Sequence, residues 1–426
     1  MDHISRFEDL ESAVRSYCRD VPNLFVSARG ARVWDSQARE FIDFLAGCGS
    51  LNYGHNHPVI KAALMNYLSH DGIGNALDFH TDAKLRFMRR FSDVILTPKA
   101  LDYRMQFTGP TGANCVEAAL KLARKHTGRG AVAAFTNAFH GMSMGALAAT
   151  GSSVHRERLE GSLQNIVRLP FEGYSHAGVT ELERFADMAL DPSGGIEPVA
   201  AIIVETVQGE GGLNVASPRW LRTLREIASR IGAVLIVDDI QAGCGRTGQF
   251  FSFERAGIIP DIVCLSKSIG AGLPMSLLLV RPQFDTWRPG EHNGTFRGNS
   301  LAFVAGTAAL ELWCTPGFVS GVEERSGVLA NWSRNMGSEF PALISRSKGM
   351  GMMMGVEFVS PRAAALVAER ARNLGVIVER CGPSGEVIKI LAPLNIEIDL
   401  FREGLSRLRA SIESVATSAV AQPHAA

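Results

Sequence analysis

Two side chains in the middle of this sequence have the types and the setting for amine chemistry. Lys267 ends the run Asp261-Ile262-Val263-Cys264-Leu265-Ser266-Lys267 and precedes Gly270-Ala271-Gly272. The apolar run reads as a buried strand, and the small residues after it as a loop presenting the lysine to a cavity. A lysine amine that attacks a carbonyl must be partly desolvated, so that it is neutral often enough to react. Upstream, Leu235-Ile236-Val237-Asp238-Asp239 reads as a second buried strand ending in two carboxylates. A carboxylate there is costly unless a cation faces it. One cation that fits is the ring nitrogen of pyridoxal phosphate, which a buried carboxylate keeps protonated. The plainer readings are a helix N-cap or metal ligand for Asp238, and a solvated surface charge for Lys267 taken alone. Asp239 points to the other face by strand alternation and is expected to be structural.

Other stretches bear on the same chemistry. Thr108-Gly109-Pro110-Thr111-Gly112-Ala113-Asn114 leads into an expected helix at 116–127, with Asn114 as its N-cap and Gly128 as its stop. Small residues let backbone N–H groups approach an anion, and a helix N-terminus favours negative charge. The stretch is either a phosphate seat or an ordinary glycine turn. Phe139-His140-Gly141 follows an expected strand at 131–135. Its aromatic ring could stack on a flat ligand or simply fill the core. Gly243-Cys244-Gly245-Arg246-Thr247-Gly248 matches the spacing of a dinucleotide loop. Two carboxylates just upstream would repel a pyrophosphate, and no helix opens after it, so that reading is set aside. His55 and His57 lack nearby acidic partners and are read as structural; no metal is expected.

Strands are expected at 131–135, 199–204, 233–237 and 276–280, with helices between them. Ser217-Pro218 is a good start for one of those helices. Such alternation argues for a mostly parallel sheet covered on both faces. Before it, a helix at 7–17, a hairpin of 31–35 with 41–44, and a helix from 59 to 69 are expected. After about 318 the pattern becomes a small α+β domain with an antiparallel sheet. The expected division is an N-terminal segment at 1–52 packing with the small domain, a large α/β domain at 53–318, and the small domain at 319–426. The 426 residues are 46% hydrophobic, and 43 Lys and Arg balance 43 Asp and Glu. That balance excludes the basic excess of a nucleic-acid binder. No apolar run reaches the ~18 residues of a membrane span. A polar, acidic start shows no secretory signal, and seven scattered cysteines without a C-x-x-C pair suggest reduced thiols and a cytoplasmic place.

Taken together, these stretches resemble the class III (ω-type) aminotransferases. The resemblance runs from about residue 30 to 393. It rests on Trp34-Asp35 through Gly54-His55-Asn56-His57-Pro58, on Thr111-Gly112-Ala113, on Phe139-His140-Gly141, and on Glu205-Thr206-Val207-Gln208-Gly209-Glu210-Gly211-Gly212. It continues in Asp238-Asp239-Ile240-Gln241, Ser266-Lys267 and Gly294-Thr295-Phe296-Arg297-Gly298-Asn299. Within the class, Leu51-Asn52-Tyr53-Gly54-His55-Asn56 and Gly290-Glu291-His292-Asn293 are similar to the branch that couples L-2,4-diaminobutyrate and aspartate semialdehyde to 2-oxoglutarate and L-glutamate.

The resemblance implies fold type I, with a seven-stranded-type sheet in the large domain, and pyridoxal 5'-phosphate as cofactor. Lys267 would hold the cofactor as a Schiff base and carry the proton. Asp238 would pair with the ring nitrogen and Gln241 with the ring hydroxyl, with Ile240 and Phe139 on opposite faces. Thr111, Gly112 and Ala113 would hold the phosphate, joined by Thr295 of a second subunit, so a homodimer would be the smallest active unit. His140 and Glu205 belong to the same cofactor set. Glu210 resembles a gate glutamate, and Lys389 stands where many members have its arginine partner; with Arg297 these are the expected substrate residues. Three departures stand out. Met142 occupies the place of a donor-binding arginine, Lys389 replaces an arginine, and the loop after Lys267 is one residue short and lacks a tyrosine. The last motivates a second reading: elimination, replacement or carbon–carbon bond formation on the same scaffold. A cofactor-binding regulatory domain would need a basic DNA-binding extension, and the balanced charge gives no expectation of one.

Overall fold

Lys267 and Asp238 come together because the strands that carry them are neighbours. The computed structural model describes residues 3–420. At the N-terminal end, β1 (Phe25–Arg29), β2 (Arg32–Asp35) and β3 (Glu40–Asp43) form an antiparallel set. The large sheet comprises β4 (Arg104–Phe107), β5 (Val132–Phe135), β6 (Ile166–Leu169), β7 (Ala201–Val204), β8 (Val234–Asp238), β9 (Ile262–Leu265) and β10 (Leu277–Val280). Its seven strands lie in the order β4-β10-β9-β8-β7-β5-β6. Only β10 runs against its neighbours. β8 and β9 are parallel, with Asp238 opposite Cys264. Their carboxyl ends, where open α/β sheets bind ligands, therefore deliver Asp238 and Lys267 to one place.

The strands are apolar throughout because both faces are covered. β5, β7, β8, β9 and β10 are buried at every position. Phe135, Trp220 and Leu224 pack one face, and Cys115, Ala119 and Leu122 pack the other. In the N-terminal and large sheets three strands escape the periodicity reading: β1, β4 and β6. All three are sheet edges, where solvent admits Arg104, Gln106 and Arg168 and the apolar run is broken.

Helix boundaries also differ from expectation. The helix expected to start near 116 spans Gly112–Thr127, and its N-cap is Thr111, not Asn114. Thr111 is extended (φ −126°, ψ 154°), and its side chain accepts the Asn114 N–H at 3.3 Å. The helix expected at 7–17 is two pieces, His3–Leu10 and Tyr17–Asp20. Tertiary contacts override propensity there: the Asp20 carbonyl accepts from Arg372 at 2.5 Å and the Tyr17 hydroxyl donates to Glu379 at 3.2 Å.

Beyond the large sheet come β11 (Ile344–Met350), β12 (Met353–Phe358), β13 (Val376–Ile377), β14 (Glu379–Cys381) and β15 (Val387–Ile390). Four of them form an antiparallel sheet in the order β11-β12-β15-β14. β13 leaves it and pairs in parallel with β3. Ile42 and Phe44 accordingly share one apolar core with Leu329, Val356, Ile388 and Phe401. The dinucleotide-like turn serves as a joint. Arg246 is fully buried and donates to Asn52 Oδ1, to the Met352 carbonyl at 3.2 Å and to the Ala392 carbonyl at 2.5 Å. No helix among the described residues is long and apolar enough to cross a membrane.

Candidate active site

Lys267 opens a short 3-10 turn, Lys267–Gly270, two residues beyond β9. Its φ of +51° is left-handed, a conformation that costs a residue with a side chain about 1–2 kcal/mol and persists where the surroundings enforce it. Ser268 helps enforce it by donating to the Gly49 carbonyl at 2.7 Å. The Lys267 side chain is half-buried, with Nζ 3.8 Å from Cys48 Sγ.

Asp238 ends β8 and is buried. Its Oδ2 lies 2.7 Å from His140 Nδ1, and its Oδ1 accepts the Ile240 N–H at 3.2 Å. His140 is itself held, its backbone N–H donating to Thr150 at 3.0 Å. His140, expected in the cofactor set, lines the same cavity and holds Asp238 through its ring. Glu205 accepts the Phe139 N–H at 2.9 Å and the Gly209 N–H at 3.1 Å. Burial pushes its carboxyl up to about 7, against the pull of His140.

These groups surround a cavity of about 180 Å³. Lys267, Asp238, Glu205 and Glu210 line it, and Gly112 and Ala113 bring in the start of the Gly112–Thr127 helix. Phe139, Ile240 and Gln241 complete the wall. The packing demands glycine at 141, where φ is +132° and a Cβ would lie 2.7 Å from Ala113 Cβ; a Cβ on Gly112 would make a tight 3.0 Å contact with Ile240 Cδ1.

A charged cluster adjoins the cavity. Lys389, on β15, is fully buried. Its Nζ lies 2.7 Å from Glu210, 3.1 Å from Glu379 and 3.4 Å from Gln241 Oε1. Burial alone would lower the Lys389 ammonium, but the two carboxylates carry it well above its ordinary value. Burial would likewise raise Glu210, yet Lys389 and Lys267 bring it down to about 2. Gln241 donates to Glu210 at 3.2 Å and to the Cys48 carbonyl at 3.3 Å. Cys48 Sγ, Glu210 and Glu379 have the donor types of a metal set, with ligand atoms within 4.8 Å of one another. The Lys389 ammonium already takes the cation position between the carboxylates.

Besides Lys389, three expected residues stand outside the cavity lining. Thr111 is exposed at the helix cap, and Thr295 is exposed on its loop. Arg297 is ion-paired with Asp78 and donates to the His292 carbonyl at 3.1 Å. Sequence reasoning missed Tyr17, Cys48 and Glu379. A signal existed for Glu379: it interrupts the apolar stretch Val376-Ile377-Val378 as Lys389 interrupts Val387-Ile388, and strand pairing sets the two opposite each other.

The site suits pyridoxal phosphate on its own geometry. An amine, a buried carboxylate held by a histidine, and the free amide end of a 16-residue helix converge on one cavity. They match an aldehyde, a ring nitrogen and a phosphate. The class defined is a carbonyl-cofactor enzyme acting on amines. Residues 16–412 match the Aminotransferase class-III family. The chain is 49% identical over 412 residues to a diaminobutyrate–2-oxoglutarate transaminase of Vibrio parahaemolyticus, covering 96% of this chain and 97% of that one. It is 47% identical over 410 residues to the enzyme of that name from Halalkalibacterium halodurans, covering 96% of each. Among solved structures, the ornithine aminotransferase of Toxoplasma gondii superposes with a TM-score of 0.86 at 27% identity, covering 98% of this chain and 96% of that one. The chain belongs to the class III aminotransferases, pyridoxal-phosphate enzymes of fold type I.

Proposed function

We infer that this enzyme moves the ω-amino group of L-2,4-diaminobutyrate to 2-oxoglutarate, giving aspartate semialdehyde and L-glutamate, by a ping-pong route. The observation that carries this reading is the Glu210–Lys389 pair at 2.7 Å beside the Lys267 cavity. It offers an anion and a cation to the amino-acid head of the diamine, and the cation to a carboxylate of 2-oxoglutarate, while Lys267 meets the reacting nitrogen or carbonyl. The relatives' names support the same substrates.

Each residue then has a task. Pyridoxal phosphate, when bound, supplies a ring that accepts the electrons left on the carbon next to the reacting nitrogen. Lys267 holds and returns the proton of that carbon at its Nζ. Asp238, fixed by His140, keeps a negative charge against the ring nitrogen. Gly112 and Ala113 offer amide N–H groups to the phosphate, with Thr111 beside them. Phe139 and Ile240 bound the ring, and Gln241 faces its hydroxyl. Glu205 fixes the Phe139 backbone.

Thr295 belongs to the second subunit's phosphate seat in a homodimer. The apolar side chains Ile73, Leu77, Phe79 and Phe296 are exposed, and an Asn75–Asn299 bridge joins the two segments that carry them. Such a patch fits an interface between copies. All seven cysteines are free, as suits a cytoplasmic enzyme. No observation favours elimination or carbon–carbon bond formation; the short loop after Lys267 is a buried turn tied to Gly49.

Incubating the holoenzyme with L-2,4-diaminobutyrate and 2-oxoglutarate should release glutamate in step with loss of the diamine. Turnover of other donors with none of this one would overturn the substrate assignment.

A further inference from the structure

Lys389 has more partners than a gate requires. β14 and β15 are antiparallel, and their register places Glu379 directly opposite Lys389. Directly opposite residues share a sheet face and meet at short range, so this ion pair is built into the strand pairing. Glu379 is 7% exposed, and it also accepts the Tyr17 hydroxyl at 3.2 Å. Glu210 is placed differently. It lies on the loop after β7, its side chain is 28% exposed, and it lines the cavity beside Lys267.

An ammonium has three N–H donors, and those of Lys389 face Glu210, Glu379 and Gln241. Removing Glu210 from that set leaves Lys389 paired. Its loss from a lysine with one counter-ion would strand a buried charge. The two carboxylates are thus unequal: one is fixed by the sheet, the other lies on a loop at the cavity wall, held by the Lys389 and Gln241 side chains.

We propose that Glu379 is the permanent counter-ion of Lys389, and that this releases Glu210 to take the ammonium of a substrate carrying a second amino group. The proposal rests on the diaminobutyrate reading and adds how that substrate is chosen. As Glu210 turns to the α-ammonium, the N–H it vacates on Lys389 faces the α-carboxylate of the same head. An ω-amino acid without the α-ammonium draws Glu210 off Lys389 and gives it no cation in return. Glu379 acts through Lys389 and Glu210 and is a positioning residue.

The test is steady-state kinetics of the holoenzyme with 2-oxoglutarate on two matched pairs: L-2,4-diaminobutyrate against 4-aminobutyrate, and L-ornithine against 5-aminopentanoate. The wild type should prefer the diamino acid by about a hundredfold in kcat/KM in a pair that it accepts. Glu379→Gln makes Lys389 depend on Glu210, and the preference should fall below about tenfold. That loss should lie in KM for the diamino acid, with kcat held within about threefold; a general packing defect would lower both members of a pair alike. Glu379→Asp should restore part of the preference. Glu210→Gln should abolish the preference with Glu379 in place, and it carries the test if Glu379→Gln does not fold. A preference that survives either Gln variant, or a wild type without one, overturns the proposal. Preference in the ornithine pair with no turnover of diaminobutyrate overturns the substrate assignment and supports the charge selection. Turnover of none of the four overturns both.

Discussion

Asp239 follows Asp238 in the sequence and His140 meets it in space, and the two do different work. His140 is buried against Asp238 at 2.7 Å. Without it, a buried carboxylate would lose a charge-assisted hydrogen bond, worth about 1.5–3 kcal/mol. His140→Phe should therefore lower kcat by about tenfold to a hundredfold at little cost to KM. A steady-state comparison with wild type checks this, and an unchanged kcat would show that Asp238 needs no support. Asp239 is fully buried, accepts the Ser252 N–H at 3.1 Å, and has its Oδ1 without a partner among the described residues. Burial pushes its carboxyl up to about 7. A raised carboxyl means that the folded state holds the proton more tightly than the unfolded chain, whose value is about 3.9. That contribution to stability is complete below about pH 4 and is lost as pH rises through about 7. Asp239→Asn removes the dependence. The variant should gain apparent melting temperature over wild type at pH 8 and lose that gain at pH 5, as thermal melts at the two pH values would show.

At the scale of elements, the sequence was most informative where a strand is buried on both sides. The unbroken apolar runs of β8 and β9 marked the two strands that hold Asp238 and Lys267. Edge strands β4 and β6 carried arginines and stayed silent. The Gly112–Thr127 helix was visible, but its first turn was hidden, because Gly112 and Ala113 look like loop residues until Thr111 is seen to cap them. That turn is where the phosphate reading depends on close packing. Gly141, at φ +132°, abuts it with no room for a Cβ. Gly141→Ala should push Ala113 aside and weaken cofactor retention by about tenfold or more, measured as cofactor released on dialysis. Retention equal to wild type would show that the turn can give way. The charged cluster was half legible for a different reason. Glu210 and Lys389 lie in recognisable motifs, whereas Tyr17 and Cys48 enter from a segment with no local mark of chemistry. Their arrival is set by tertiary structure alone.

The whole molecule divides its labour between two bodies. The large sheet brings the amine, the carboxylate and the helix end. The small antiparallel sheet and the N-terminal strands bring Cys48, Glu379 and Lys389, and Arg246 bolts the two together through Asn52, Met352 and Ala392. Copies of the chain should meet through the Phe79 and Phe296 patch, both side chains being about two-thirds exposed (65% and 66%). Phe296→Asp would bury a charge in that interface. It should shift the protein toward monomer in sedimentation and cut activity in parallel, since Thr295 stands beside it. A monomeric variant with full activity would free Thr295 of any role across subunits.

The parallel pairing of β13 with β3 also orders events in time. Val376 sits opposite Ile42, although more than three hundred positions of chain separate them. As the polypeptide is made, β3 emerges early and its open edge must wait until nearly all the remainder has followed. Contacts between such distant segments close late. The Lys267 strand can be in its sheet before the wall bearing Glu379 and Lys389 exists. A nascent chain halted before β13 would hold the reactive amine and Glu210 but neither Glu379 nor Lys389, so the charge set that positions Glu210 is completed last.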